Sequence, residues 1–109
     1  MKNLTNFFYL KKNTVRVYQW KTGTIIHTLT GHTNFIRALE VLHGPLIASS
    51  SEDTTVRIWN LITGQSILTY SQHNSRVLSL KLLSNGLIAS GANGLTVRIW
   101  NYRTGVLVR

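Results

Sequence analysis

Short runs of alternating apolar and polar residues recur along this chain at a fixed interval. The alternation of Thr55–Trp59 returns at Thr96–Trp100 and, ending in tyrosine instead of tryptophan, at Thr14–Tyr18. A period of two residues indicates a half-buried β-strand. Each run leads to a glycine, and the three glycines are spaced 41 residues apart: Gly23, Gly64 and Gly105. A repeat of roughly 40 to 45 residues is typical of stacked units that cannot bury a core alone.

The repeat predicts an all-β chain of about eleven short strands. Its second unit predicts four antiparallel strands, joined by turns at polar and glycine residues, in Phe35–Val41, Leu46–Ser50, Thr55–Trp59 and Gln65–Tyr70. The third unit predicts strands at Arg76–Leu83, Leu87–Gly91 and Thr96–Trp100, and a last strand that begins at Val106. The first unit predicts strands at Asn6–Leu10, Thr14–Tyr18 and Thr24–Leu29. No segment shows the 3.6-residue apolar period of a helix.

The composition favours a folded intracellular protein. The 109 residues, 43% of them hydrophobic, are enough for one domain. The apolar stretch Phe7–Leu10 is too short for a signal-peptide core, and no stretch has the length of a transmembrane helix. The absence of cysteine excludes disulfides and agrees with a reducing compartment. We therefore expect a cytoplasmic or nuclear location.

Charge is the strongest compositional bias of the chain. Twelve lysines and arginines against three acidic residues give a net charge of +9, which attracts phosphate groups and acidic protein surfaces. Arg16, Arg57 and Arg98 occupy the same repeat position, each between two β-branched residues, so the alternation predicts that they are solvated side chains pointing outward. Two interpretations remain open: a generally solvated surface, or a specific patch for an anionic partner.

Residue pairs at both ends of the units carry a family resemblance. Gly31-His32 is followed by Trp59-Asn60, 27 residues after the histidine, and Gln72-His73 by Trp100-Asn101 at the same distance. This pattern resembles the Gly-His and Trp-Asp signature of WD-repeat β-propellers, whose blades are four-stranded antiparallel sheets packed around a channel. The resemblance implies a partial first blade at 1–30, a complete second blade at 31–71 and a third blade at 72–109, truncated in its last strand. Three blades cannot close a propeller of typically about four to eight, so we expect an open wedge.

The resemblance also implies a buried hydrogen-bond network that holds each blade together. The matching positions are His32, Ser51, Asp53 and Trp59, with His73 and Trp100 in the third blade. Ala92 and Gly94 stand where Ser51 and Asp53 stand, so His73 and Trp100 are expected to lack both intermediates. Only the second blade would then have a complete hydrogen-bond network, and we expect it to be the most stable of the three.

No catalytic, metal or cofactor site is expected. His32, Ser51 and Asp53 superficially offer a hydrolase triad. They match the structural network, however, and no glycine-rich or helical segment supplies a nucleophile elbow or an oxyanion hole. The histidines lack metal-ligand spacing, and the chain has no phosphate loop.

The expected function is therefore binding. In the resembling family the top rim of the propeller receives peptides, and the matching positions are Phe35, Arg37, Glu52, Arg76, Leu78 and Asn93. Aromatic residues and arginine are typical of interface hot spots, and arginine pairs with carboxylate or phosphate; alternatively, Phe35 and Leu78 only cap the core. These residues favour a non-catalytic protein-interaction scaffold that binds an acidic or phosphorylated segment.

Two alternatives to this function remain. One is a basic module that binds RNA through its lysines and arginines, and the other is a gene fragment without independent function. In each case, further blades from the same or another chain, or a homo-oligomer, would be needed to complete a ring.

Overall fold

The computed structural model describes residues 6–84, 86–94 and 96–109, which form ten β-strands in three antiparallel sheets. Sheet 1 contains β1 (Asn6–Lys11), β2 (Thr14–Gln19) and β3 (Thr24–Leu29). Sheet 2 contains β4 (Ile36–Val41), β5 (Leu46–Ser51), β6 (Val56–Asn60) and β7 (Gln65–Tyr70). Sheet 3 contains β8 (Val77–Ser84), β9 (Leu87–Ala92) and β10 (Thr96–Asn101). The strand order in every sheet follows the chain order.

The predicted all-β antiparallel architecture is confirmed, with ten strands in place of eleven. The segment from Val106 onward forms a single bridge, between Trp100 and Leu107, and no regular strand. Residues 1–5 of the predicted first blade, and the middle of the predicted turn at 84–86, lie outside the described residues. The described part of the chain contains no helix with the length and apolarity needed to cross a membrane.

Two layers of apolar side chains lie between the sheets. The layer between sheets 1 and 2 contains Val15, Val17, Leu29, Ile36, Ile47 and Trp59. The layer between sheets 2 and 3 contains Leu42, Ala48, Val56, Ile58, Tyr70, Val77, Ile88, Trp100 and Tyr102. In this second layer the rings of Tyr70 and Trp100 stack with centroids 4.1 Å apart. Sheet 2 is therefore covered on both faces, and removal of these apolar surfaces from water stabilises the stack.

Arg57 and Arg98 are half-buried and lie between sheets, so the prediction that they are solvated is wrong, whereas Arg16 lies on the outer face of sheet 1 opposite its strand partner Tyr9. Arg57 is half-buried, with its guanidinium 5.9 Å from the ring centroid of Trp59. It also lies against Gly31, where its Cζ would be 3.0 Å from an added Cβ. Arg98 is half-buried in the same way in sheet 3. Alternation separates the two faces of β6, but neighbouring sheets cover both faces, so the polar face is not a solvent face.

The outer faces of the stack carry exposed apolar side chains. Val97 on β10 is 64% exposed, whereas Val56, its equivalent one repeat earlier, is completely buried against sheet 3. On sheet 1, Phe7 and Tyr9 are exposed on the face opposite to Val15 and Val17. The described residues therefore form an open stack, in which only the central sheet has neighbours on both sides.

Candidate functional site

A chain of hydrogen bonds crosses sheet 2 from its third strand to the β5–β6 turn. The indole Nε1 of Trp59 donates to Ser49 Oγ over 2.8 Å, and Ser49 Oγ lies 2.7 Å from His32 Nε2. On the other side of the ring, His32 Nδ1 lies 2.8 Å from Asp53 Oδ2. Thr55 Oγ1 donates to the other carboxylate oxygen over 2.6 Å. We call the set Trp59, Ser49, His32 and Asp53 the sheet 2 relay.

The chemistry of the groups sets the direction of this relay. An indole N–H is only a donor, so Ser49 accepts from Trp59. The hydroxyl then donates its proton to His32 Nε2, which leaves the proton of the neutral ring on Nδ1, directed at Asp53. Every member is satisfied, and a satisfied buried network makes a blade rigid.

The serine of the relay is Ser49, and the expectation of Ser51 is wrong. Ser51 lies two residues further along β5, about 6 to 7 Å from Ser49, at the end of the strand. There its hydroxyl donates to the carbonyl oxygen of Asn34 over 3.0 Å and accepts from the amide of Asp53. The repeat itself contains the missing signal, because Ser49 recurs 41 residues later as Ser90, whereas Ser51 is replaced by alanine.

Sheet 3 contains the same relay without its carboxylate. Trp100 Nε1 donates to Ser90 Oγ over 3.1 Å, and Ser90 Oγ lies 2.6 Å from His73 Nε2. The expectation that His73 and Trp100 lack both intermediates is therefore wrong, since the serine is present. Gly94 occupies the position of the aspartate, and His73 Nδ1 is buried without a hydrogen-bond partner among the described residues.

Burial shifts the ionisation of both relay histidines in the same direction. It lowers the pKa of His32 below its usual 6.5, even though Asp53 acts in the opposite direction. Burial also lowers the pKa of His73, and the charge of Arg98 lowers it further. For Asp53, burial raises the pKa, but hydrogen bonds from Thr55 and His32 outweigh burial and hold it below 3.8. At neutral pH the relay therefore pairs neutral histidine with a carboxylate.

These shifts make acidification destabilising. In the unfolded chain each histidine has its ordinary pKa of about 6.5, so just below this pH the unfolded chain binds more protons than the folded chain. We expect the urea midpoint to fall as the pH is lowered from 7.5 to 5.5. In His73→Gln, which cannot titrate at this position, the midpoint should depend less on pH. A midpoint that rises on acidification would contradict the neutral relay.

A second cluster lies at the edge formed by the start of β4 and the β5–β6 turn. The guanidinium of Arg37 forms a hydrogen-bonded ion pair with Glu52, and its Cζ lies 6.0 Å from the ring centroid of Phe35. Arg76, from the start of sheet 3, places Nη1 3.9 Å from the other oxygen of Glu52. Both arginine side chains are about half exposed, and Phe35 is exposed.

The same backbone contacts build this edge in both sheets. The amide of Glu52 donates to the carbonyl oxygen of Phe35 over 2.8 Å, and the amide of Asn93 donates to that of Arg76 over the same distance. Leu78 and Asn93 border a shallow depression of about 360 Å³ on sheet 3. Four of the six predicted rim residues thus form one cluster, and the other two lie beside it on sheet 3. We call these six residues the rim: Phe35, Arg37, Glu52, Arg76, Leu78 and Asn93.

Comparison with known proteins identifies the repeat. The family model described as WD domain, G-beta repeat matches residues 23–60 and 64–101, more than half of the chain. The crystal structure of the WD40 β-propeller domain of Doa1 is similar, with a TM-score of 0.84 at 20% sequence identity. The similarity covers 99% of this chain but only 36% of that one. No curated protein sequence matches. The chain therefore belongs to the WD-repeat family, and its three sheets are incomplete and complete blades of a β-propeller.

Proposed function

We propose that the chain is a non-catalytic protein-interaction scaffold whose rim binds an acidic or phosphorylated peptide segment. The observation that carries the proposal is the convergence of two arginines from different sheets on one carboxylate. Arg37 and Arg76 both face Glu52 and remain half exposed, and an exposed aromatic ring lies beside them. Two guanidinium groups against one carboxylate leave this cluster with an excess positive charge.

Such a cluster suits an anionic ligand for three reasons. Arginine forms bidentate, charge-assisted hydrogen bonds with carboxylate and phosphate. Glu52 is only 11% exposed and holds Arg37 from the protein side. The solvent-facing side of the guanidinium stays accessible to a partner. Phe35 adds an apolar contact surface of the kind found at interface hot spots.

Catalysis by the relay is disfavoured by burial. Ser49 is completely buried, so a substrate would not reach its hydroxyl. The hydroxyl of Ser49 already accepts from Trp59 and donates to His32, and it is not free to act as a nucleophile. Among the described residues, no three histidine or acidic side chains lie close enough together to hold a metal ion.

A peptide-binding measurement tests the proposal. Fluorescence anisotropy would compare labelled acidic peptides with and without a phosphorylated residue. We expect Arg37→Ala and Arg76→Ala each to weaken binding about 10-fold or more, since a hydrogen bond to a charged group contributes about 1.5 to 3 kcal/mol. Lys21→Ala is the matched control, because it removes the same charge at the turn between β2 and β3. In sheet 1 the β1–β2 turn is the equivalent of the β5–β6 turn at the rim. The β2–β3 turn lies at the opposite end of the sheet, away from the rim.

Equal losses in the control and the rim variants would contradict a specific rim site. Binding of oligonucleotides that falls steeply with salt, independent of sequence, would instead support the RNA alternative. The placement of the lysines argues against a single phosphate-binding stripe. Lys11 and Lys21 lie at opposite ends of β2, and Lys81 lies within β8 in another sheet.

The exposed outer faces support a further proposal about partners: additional blades, from copies of this chain or from another chain, cover sheets 1 and 3. The argument rests on the contrast between exposed Val97 and its buried equivalent Val56. Light scattering across a concentration series tests self-association. A discrete oligomer is expected if copies of this chain supply the blades. A cooperatively folded monomer at all concentrations would contradict the need for covering blades.

A further inference from the structure

The carboxylate of Asp53 in sheet 2 is held by four hydrogen-bond donors. His32 Nδ1 lies 2.8 Å from Oδ2, and the backbone amide of Thr33 lies 3.0 Å from the same oxygen. The amide and hydroxyl of Thr55 donate to Oδ1 over 2.9 and 2.6 Å. In sheet 2, therefore, a carboxylate at this position accepts hydrogen bonds on both of its oxygens.

Sheet 3 repeats the residues of this pocket but lacks the carboxylate. The equivalents 41 residues later are His73, Asn74 and Thr96, while Gly94 replaces Asp53. A Cβ added at Gly94 would meet no atom within 4 Å, so the described structure leaves open space there. The strands that flank Asp53 and Gly94 pair in the same register, since Ser50 pairs with Val56 and Gly91 with Val97. The residue with positive φ is Thr54 in sheet 2 and Gly94 in sheet 3.

The direction of the hydrogen bonds in sheet 3 shows that the open position lacks a hydrogen-bond acceptor. Trp100 donates to Ser90, and the hydroxyl of Ser90 is then directed at His73 Nε2. The proton of the neutral ring therefore lies on Nδ1, as in His32. This N–H is buried in a side chain that is 3% exposed, and it has no acceptor among the described residues. A buried donor without an acceptor is unfavourable, and an acceptor from outside would satisfy it.

The surroundings favour an acceptor with negative charge. Arg98 lies close enough to His73 to act electrostatically on its ring. Gly94 directly follows the rim residue Asn93, whose amide donates a hydrogen bond to the carbonyl oxygen of Arg76, another rim residue. The open position is therefore continuous with the rim and lies in a positively charged part of the surface.

We propose that the position left open by Gly94 is a carboxylate-binding subsite, in which an aspartate or glutamate side chain of a partner takes the place that Asp53 occupies in sheet 2. His73 Nδ1 is its principal donor, and Asn74 and Thr96, at the positions of Thr33 and Thr55, are the further donors that the comparison predicts. That this carboxylate belongs to the same acidic segment that contacts the rim rests on the proposed function. The subsite itself rests only on the comparison of the two sheets.

Imidazole NMR on the ¹⁵N-labelled chain tests the subsite, with sodium acetate as the probe at pH 7.5. We expect the Hδ1 resonance of His73 to move downfield with saturation. The Hδ1 resonance of His32, already bonded to Asp53, should stay unchanged and serves as a control within the same molecule. Sodium chloride at equal ionic strength should have no such effect. Absence of saturation at His73, or equal shifts of both histidines, would overturn the subsite.

Two substitutions at one position sharpen the test. Gly94→Asp supplies the carboxylate from within the chain and is expected to abolish the acetate response of His73. Gly94→Ala is the matched control, because it imposes the same cost of a side chain at φ +94° without adding an acceptor. It should keep the acetate response. An unchanged response in Gly94→Asp, in a folded chain, would contradict the proposed location.

An acidic peptide in place of acetate separates this subsite from the proposed function. Peptide binding that Arg37→Ala weakens, with no change at His73, would overturn the subsite and leave the rim function standing. A saturable acetate response without binding of any acidic peptide would support a carboxylate site and contradict the rim function. A downfield shift of His73 in the peptide complex is the result that both proposals expect.

Discussion

Ser49→Ala is expected to lower the free energy of unfolding by about 2 to 4 kcal/mol. The substitution removes the partner of Trp59 Nε1 and of His32 Nε2 at the same time. Both groups stay buried, and each unsatisfied buried group costs about 1 to 3 kcal/mol. Urea unfolding followed by tryptophan fluorescence measures the loss.

Ser50→Ala is the matched control for this experiment. Ser50 is the next residue of β5 and is as completely buried as Ser49, but its hydroxyl has no hydrogen-bond partner in the described structure. The same substitution there should be neutral or slightly stabilising, because removal of an unpaired buried hydroxyl relieves a desolvation cost. Similar losses for the two variants would show that the relay does not hold sheet 2 together.

Gly64→Ala is expected to destabilise the chain by about 2 to 4 kcal/mol, through two separate effects. Gly64 has φ +75°, where a side chain costs roughly 1 to 2 kcal/mol. A Cβ there would also lie 2.5 Å from His27 Nδ1, so the ring must move. Movement of the ring would break the 2.7 Å hydrogen bond from His27 to the carbonyl oxygen of Leu61, which links sheets 1 and 2. Steric strain of this kind costs about 1 to 3 kcal/mol.

Gly23 offers a control at the same position of the preceding repeat. Its φ of +72° is nearly the same, but an added Cβ would meet no atom within 4 Å. Gly23→Ala should therefore cost only the roughly 1 to 2 kcal/mol of the backbone. Comparison of urea midpoints isolates the steric contribution of His27. Equal losses of unfolding free energy in the two variants would mean that the His27 ring can move aside without destabilising the chain.

The sequence predicted the strands and the repeat well, because alternation and a 41-residue spacing depend only on local order. It failed for Arg57, since alternation distinguishes two faces of a strand but does not reveal that neighbouring sheets cover both. The segment from Val106 has suitable residues for a strand and is hydrogen-bonded to β10 through the backbone of Val106, Val108 and Arg109, but it forms one bridge and no regular strand. The number of pairing contacts that a segment makes is a tertiary property, and composition does not determine it.

The sequence predicted most residues of the candidate site, but it did not predict all of the contacts between them. The histidine, aspartate and tryptophan of the relay followed from the family resemblance, but Ser51 was expected in place of Ser49. Distance along β5 decides between the two serines, and a one-dimensional motif does not contain that distance. The joint approach of Arg37 and Arg76 to Glu52 likewise depends on how sheets 2 and 3 pack.

In every sheet each strand pairs with the strand that precedes or follows it in the chain, and no pairing crosses over another. All sheet hydrogen bonding therefore closes short loops, for which the entropic cost is small. Such a chain can assemble by successive hairpins, one sheet at a time, without a search for distant partners. We therefore expect the apolar layers between sheets to form after the hairpins, as in the stepwise growth of a short linear array.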